Sequence, residues 1–177
     1  QSFAYQLTAF GQTADLLRIG SKRKRAATGR AWRQRTGRSK NTAQTNQDRM
    51  ILVDTSVWID HLRRGEPQLV ILLNQSQVLM DPFVIGELAC GQLKARSQIL
   101  ELLHGLPPAT QATHADVLHF IERHALHGRG IGYVDVHLCA SAKLNGAQLW
   151  TRDKRLMEVA EVLGLAYQEK ATEAGRP

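Results

Sequence analysis

Four carboxylates in this chain stand where they could act together. Asp54 ends the apolar run Met50-Ile51-Leu52-Val53, and Asp153 follows Leu149-Trp150-Thr151 by two residues. Asp135 heads Asp135-Val136-His137-Leu138-Cys139-Ala140-Ser141-Ala142, a segment almost without charge. Glu87 is embedded in Phe83-Val84-Ile85-Gly86-Glu87-Leu88-Ala89-Cys90-Gly91, an apolar and small-residue setting where a lone charge is costly. Acids that share a pocket repel one another and titrate as a coupled group. A hard divalent cation such as Mg²⁺ or Mn²⁺, which takes oxygen ligands, relieves that repulsion. It also polarises a phosphodiester and lowers the pKa of a bound water. The chemistry is metal-dependent phosphodiester hydrolysis. Each acid alone has a plainer role. Asp54, Asp135 and Asp153 suit helix N-caps, and Glu87 suits a solvated helix face. The recurrence of all four sets the expectation.

The elements that must position them alternate. Met50–Val53 reads as a strand buried on both faces, and Thr55 to Leu62 carries helical spacing until Gly65-Glu66-Pro67. Leu69–Leu73 reads as a buried helix and Val78–Met80 as a second strand closed by Asp81-Pro82. Pro82 suits a first helical position, with the helix running from Phe83 to Leu93. Helices follow at Ser97–Leu103 and Ala115–Leu126. After the glycine loop 128–132 come a helix over Asp135–Leu144, a strand over Ala147–Trp150, a helix over Lys154–Leu163 and a short strand over Leu165–Tyr167. This order predicts an α/β domain with a parallel sheet covered by helices. In such sheets functional groups gather beyond the carboxyl ends of the strands, where Asp54 and Asp153 fall.

Charge is unevenly spread along the 177 residues. Residues 1–49 hold 11 Lys and Arg against 2 Asp and Glu, whereas residues 50–177 hold 12 against 14 and all seven His. The net +7 therefore describes an extension, and a uniformly basic nucleic-acid-binding domain is excluded. Residues 1–49 are expected to be disordered, because they offer too little apolar surface to offset chain entropy. They read either as a leader or gene-start artefact preceding Met50, or as a basic arm on phosphate. The expected domain spans 50–170, with a tail at 171–177. Two isolated Cys, Cys90 and Cys139, exclude a disulfide framework or Cys-based zinc site. The longest aliphatic run, Leu69–Leu73, is far short of the roughly 20 residues of a membrane span. A cytoplasmic protein is expected.

Ile51-Leu52-Val53-Asp54-Thr55-Ser56-Val57-Trp58-Ile59 resembles the opening strand of PIN-domain nucleases, and Ile85-Gly86-Glu87-Leu88 resembles their helix-borne Glu. Gly132 to Ala142, around Asp135, resembles the third acidic motif, and Leu149 to Leu156, around Asp153, the fourth. The short layout over residues 50–167 is similar to VapC-type toxin ribonucleases of toxin–antitoxin pairs. The resemblance implies a three-layer α/β/α fold with a short parallel central sheet. It implies an Mg²⁺-dependent endoribonuclease, with Mn²⁺ as an alternative ion, acting on RNA and restrained by a VapB-type antitoxin. A homodimer is implied as well. Asp54 and Asp135 match the principal metal ligands, and Glu87 and Asp153 the acids that complete the catalytic pocket. Thr55, Ser56 and Thr151 would orient those carboxylates or the attacking water, and ordinary turn and cap chemistry is the alternative. Arg152, Lys154 and Arg155 would hold RNA phosphate, or else form a solvated basic face.

Other signals are weaker. His114, His119, His124 and His127 do not form a closed zinc set, and Gly128-Arg129-Gly130-Ile131-Gly132 lacks dinucleotide-fingerprint framing. Trp58 and Trp150 read as core aromatics. Two rival functions remain. One is a catalytically weak PIN-fold RNA-binding module, against which the presence of all four acids counts. The other is an Mg²⁺-dependent phosphatase-like α/β hydrolase, which in the haloacid-dehalogenase pattern needs a second Asp where Ser56 stands.

Overall fold

A computed structural model describes residues 49–169. The expectations for residues 1–48 and for the tail at 171–177 lie outside that range.

Three short parallel strands form the sheet: β1 (Ile51–Val53), β2 (Val78–Leu79) and β3 (Gln148–Trp150). Their order is β2-β1-β3, with Ile51 opposite both Val78 and Gln148. Every β1 residue is buried, as expected of a strand covered on both faces. Helices α1 (Thr55–Arg64) and α2 (Pro67–Asn74) connect β1 to β2. Four more, α3 (Pro82–Cys90), α4 (Arg96–His104), α5 (His114–His124) and α6 (Tyr133–Asn145), lead back past β1 to β3, and α7 (Lys154–Val162) follows. The two crossovers run in opposite directions along the sheet. Parallel crossovers are right-handed as a rule, so two that run in opposite directions place their helices on opposite faces of the sheet, which gives three layers. The same reversal makes the crevice between the ends of β1 and β3 a topological switch point, where such sheets bind ligands.

Each strand end meets a helix start in the same way. Asp54 caps α1 at Ser56 N, Asp81 caps α3 at Phe83 N and Asp153 caps α7 at Leu156 N. Pro67 and Pro82 occupy the first helical positions of α2 and α3, where no amide hydrogen bond is lost. Trp58, Leu52, Leu138, Leu149 and Trp150 lie fully buried in one continuous core.

Three expected elements differ. The helix expected to reach Leu93 stops at Cys90, because Gly91 adopts an extended conformation and returns its N–H to Leu88 O. The strand expected at 165–167 is a single parallel bridge of Ala166 to Leu149. Asp135, expected to open its helix, lies at the third position of α6.

His61 carries a pH dependence. It is buried on α1 and accepts a hydrogen bond at Nδ1 from Glu66 N (3.1 Å). Burial lowers its pKa from 6.5 to about 4, against the pull of Glu66. The unfolded chain therefore binds a proton that the fold refuses, and stability falls as pH drops from about 6.5 toward about 4. The contribution is at most about 3 kcal/mol, from the free energy per pKa unit. Thermal unfolding of wild type and His61→Gln across this range should show the steeper acid loss in wild type.

Candidate active site

Asp54 is buried and stands directly beyond the β1–β3 pair, its N–H bonded to Trp150 O (2.9 Å). Three donors converge on its Oδ2: Ser56 Oγ at 2.5 Å, Thr151 Oγ1 at 2.8 Å and Ser56 N at 3.3 Å. No hydrogen bond among the described residues engages Oδ1. Thr151 is itself buried, and its Oγ1 also accepts from Asp153 N (3.0 Å). One hydroxyl therefore ties the end of β1 to the start of α7. Ser56 and Thr151 both donate hydroxyl hydrogen bonds to the Asp54 carboxylate.

Asp135 approaches from the other crossover. Its Oδ2 accepts from Gly132 N (2.7 Å), closing the first turn of α6. Burial raises its pKa, the Gly132 hydrogen bond opposes this, and the negative charges of Asp54 and Asp153 raise it further. The Asp135 carboxyl thus feels the charges of both strand-end aspartates. Cys139, one turn along α6, is pushed up to about 12 by burial, with Asp135 and Asp54 adding to the effect. Its thiol stays neutral near pH 7 and is no nucleophile.

Glu87 is exposed on α3, contrary to the apolar surroundings its neighbours suggested. Val84 and Leu88 turn into the core and leave it outside. It is joined to the site through Thr55 Oγ1, which donates to Glu87 Oε2 at 2.5 Å from the residue next to Asp54.

Asp54, Asp135 and Asp153 each have one oxygen committed locally and one free of hydrogen bonds among the described residues. The donor set is all oxygen, suited to hard cations. Among the described residues no three His, Cys, Asp or Glu side chains stand together at metal-holding distance. The residues fit a divalent ion by chemistry and by charge.

The expected phosphate contacts divide. Lys154 is exposed, and Arg155 is exposed with Nη1 on Gly130 O (3.3 Å). Arg152 is instead engaged by the carboxylates of Asp60 and Glu66, so its guanidinium is not presented as a free phosphate donor. Two features escaped the sequence reading. Arg63 and Lys94, together with Glu87, line a groove of about 370 Å³. Asp81 is fully buried and stands two residues past the Leu52–Leu79 pair, as Asp54 does, with Oδ2 unpartnered. Its position after a strand and before a helix was the available signal.

Residues 51–162 match the PIN domain. The chain belongs to the PIN-domain family. Within it, the chain is 47% identical over 124 residues to Ribonuclease VapC32 of Mycobacterium tuberculosis strain CDC 1551 / Oshkosh, covering 70% of this chain and 100% of the relative. Identity and coverage are the same for Ribonuclease VapC32 of strain ATCC 25618 / H37Rv. Among solved structures the chain is similar to FitAcB from Neisseria gonorrhoeae, at 25% identity and a TM-score of 0.47, over 63% of this chain and 94% of that one. No helix among the described residues is long and apolar enough to cross a membrane.

Proposed function

We propose that this chain is an Mg²⁺-dependent endoribonuclease, the toxin of a VapBC-type pair, acting in the cytoplasm and restrained by a VapB-type antitoxin. The observation that carries the reading is the placement of Asp54 and Asp153 just after the paired strands β1 and β3, with both charges acting on Asp135. Burial raises the Asp135 pKa, and the negative charges of Asp54 and Asp153 add to it. The likeness to Ribonuclease VapC32 supports RNA as the substrate. Asp54 and Asp135 would hold the cation, with Asp153 and Glu87 completing the pocket. When bound, it supplies charge neutralisation and Lewis-acid polarisation of the phosphodiester. Ser56 and Thr151 keep the Asp54 carboxylate in one orientation, and Thr55 does the same for Glu87. Lys154 and Arg155, with Arg63 and Lys94 beside the groove, offer cations to the RNA backbone. A homodimer remains part of the proposal by family likeness.

The test incubates the full chain with RNA in Mg²⁺, in chelator, and with Mg²⁺ restored. Internal cleavage that disappears with chelation and returns with Mg²⁺ is the expected result. RNA binding without cleavage would favour the binding-module reading. Mg²⁺-dependent release of phosphate from a small phosphomonoester, with RNA intact, would favour the phosphatase.

A further inference from the structure

The geometry points to Arg152 as a positioning residue: its guanidinium clamps residues 151–153 onto α1 and α2, and so sets the Thr151 hydroxyl and the Asp153 carboxylate at the active site. Arg152 is held at both ends. Its backbone N–H donates to Ser56 Oγ at 3.0 Å. Its Nη1 donates to Asp60 Oδ2. Ser56 and Asp60 lie four residues apart on α1, hence on one face one turn apart, so Arg152 runs along that helix. Its Nη2 donates to Glu66 Oε2, while the other oxygen of Glu66 caps α2 at Gln68 N (3.3 Å). Glu169 Oε1 lies 3.8 Å from Nη2 and accepts from Trp150 Nε1 at 2.7 Å. The clamp therefore joins α1, the start of α2, the end of β3 and the segment after α7.

The residues on either side of Arg152 carry the consequence. Thr151 donates to Asp54, and Asp153 shares the rim with Asp54 and Asp135. A direct phosphate contact by Arg152 is disfavoured by its surroundings. Asp60, Glu66 and Glu169 face Arg152 and Arg64, three carboxylates against two guanidinium groups. That patch is net negative and repels phosphate.

The inference rests on the nuclease reading for its activity readout alone. The experiment uses the full chain as wild type, Arg152→Ala, Arg152→Lys, Asp60→Asn and Glu66→Gln. Arg152→Ala should lower kcat roughly 10- to 100-fold, as for residues that orient a metal site's ligands, with KM for RNA unchanged. Arg152→Lys should recover part of the loss, because an ammonium pairs with one carboxylate but lacks the two-pronged fork. Asp60→Asn and Glu66→Gln should lower kcat in the same direction. In an Asp135→Asn background, Arg152→Ala should leave RNA affinity unchanged. A raised KM with intact kcat in Arg152→Ala, or weaker RNA binding by Arg152→Ala in the Asp135→Asn background, would overturn the inference in favour of a phosphate contact. Amide exchange gives a reading independent of activity. Arg152→Ala should speed exchange at the 152 and 153 amides selectively, and unchanged exchange there overturns the clamp. Wild-type chain that cleaves no RNA, with exchange accelerated in Arg152→Ala, would sink the nuclease reading and leave the clamp standing.

Discussion

Asp135→Asn and Asp54→Asn should each lower RNA cleavage about 1000-fold or more, the scale of losing several kcal/mol of charge stabilisation at a metal site. The fold should survive both. In Asp135→Asn the new amide keeps an oxygen for Gly132 N, so the first turn of α6 stays closed. Without metal, Asp135→Asn should raise the melting temperature at neutral pH. The sign follows from linkage: the Asp135 pKa is raised in the fold, so its stabilising contribution is present below the ordinary carboxylate value of 3.8 and is lost as pH rises through the folded value. At pH 7 the charge is a cost, and the neutral amide removes it. Calorimetric unfolding in chelator beside cleavage in Mg²⁺ checks both halves. A variant that loses activity by unfolding would not support the assignment.

Thr151→Val should cost both stability and activity. The Thr151 hydroxyl is buried, donates to Asp54 Oδ2 and accepts from Asp153 N. Valine fills the space but takes a hydroxyl donor from the buried Asp54 carboxylate, at about 1–3 kcal/mol. Asp54 keeps its Ser56 partners yet loses its side-chain tie to Thr151, which should lower cleavage roughly 10- to 100-fold. Thr151→Ser retains the hydroxyl and should restore most of both. Thermal unfolding and cleavage rates of the pair separate the hydroxyl from the methyl group.

The elements around the site were legible because short, fully apolar strands ending in Asp have few other places to go. Ile51-Leu52-Val53-Asp54 could only be buried, and its acid had to emerge at the strand end. Capping and catalysis looked like competing roles for Asp54, Asp135 and Asp153. The structure shows one oxygen of each tied into local backbone or hydroxyl bonds, so the plain role and the proposed one coexist. Glu87 misled because its neighbours are apolar: a helix of nine residues turns Val84 and Leu88 inward and Glu87 outward, and adjacency in sequence does not record that face. Arg152 misled for a different reason. Its partners Asp60 and Glu66 are 92 and 86 residues away, and only the folded crossover brings them to its guanidinium. Asp81 shares the strand-end position of Asp54, but its burial depends on what covers β2.

The central claim is that the strand-end aspartates together form a divalent-cation site. A calorimetric titration of Mn²⁺ into the metal-free full chain, as wild type, Asp54→Asn and Asp135→Asn, tests it most directly. Saturable binding in wild type that is lost or strongly weakened in both variants, with Mg²⁺ competing for the same site, is the predicted result. Equal Mn²⁺ affinity in all three proteins, or no binding by a wild type that still cleaves RNA, would contradict it.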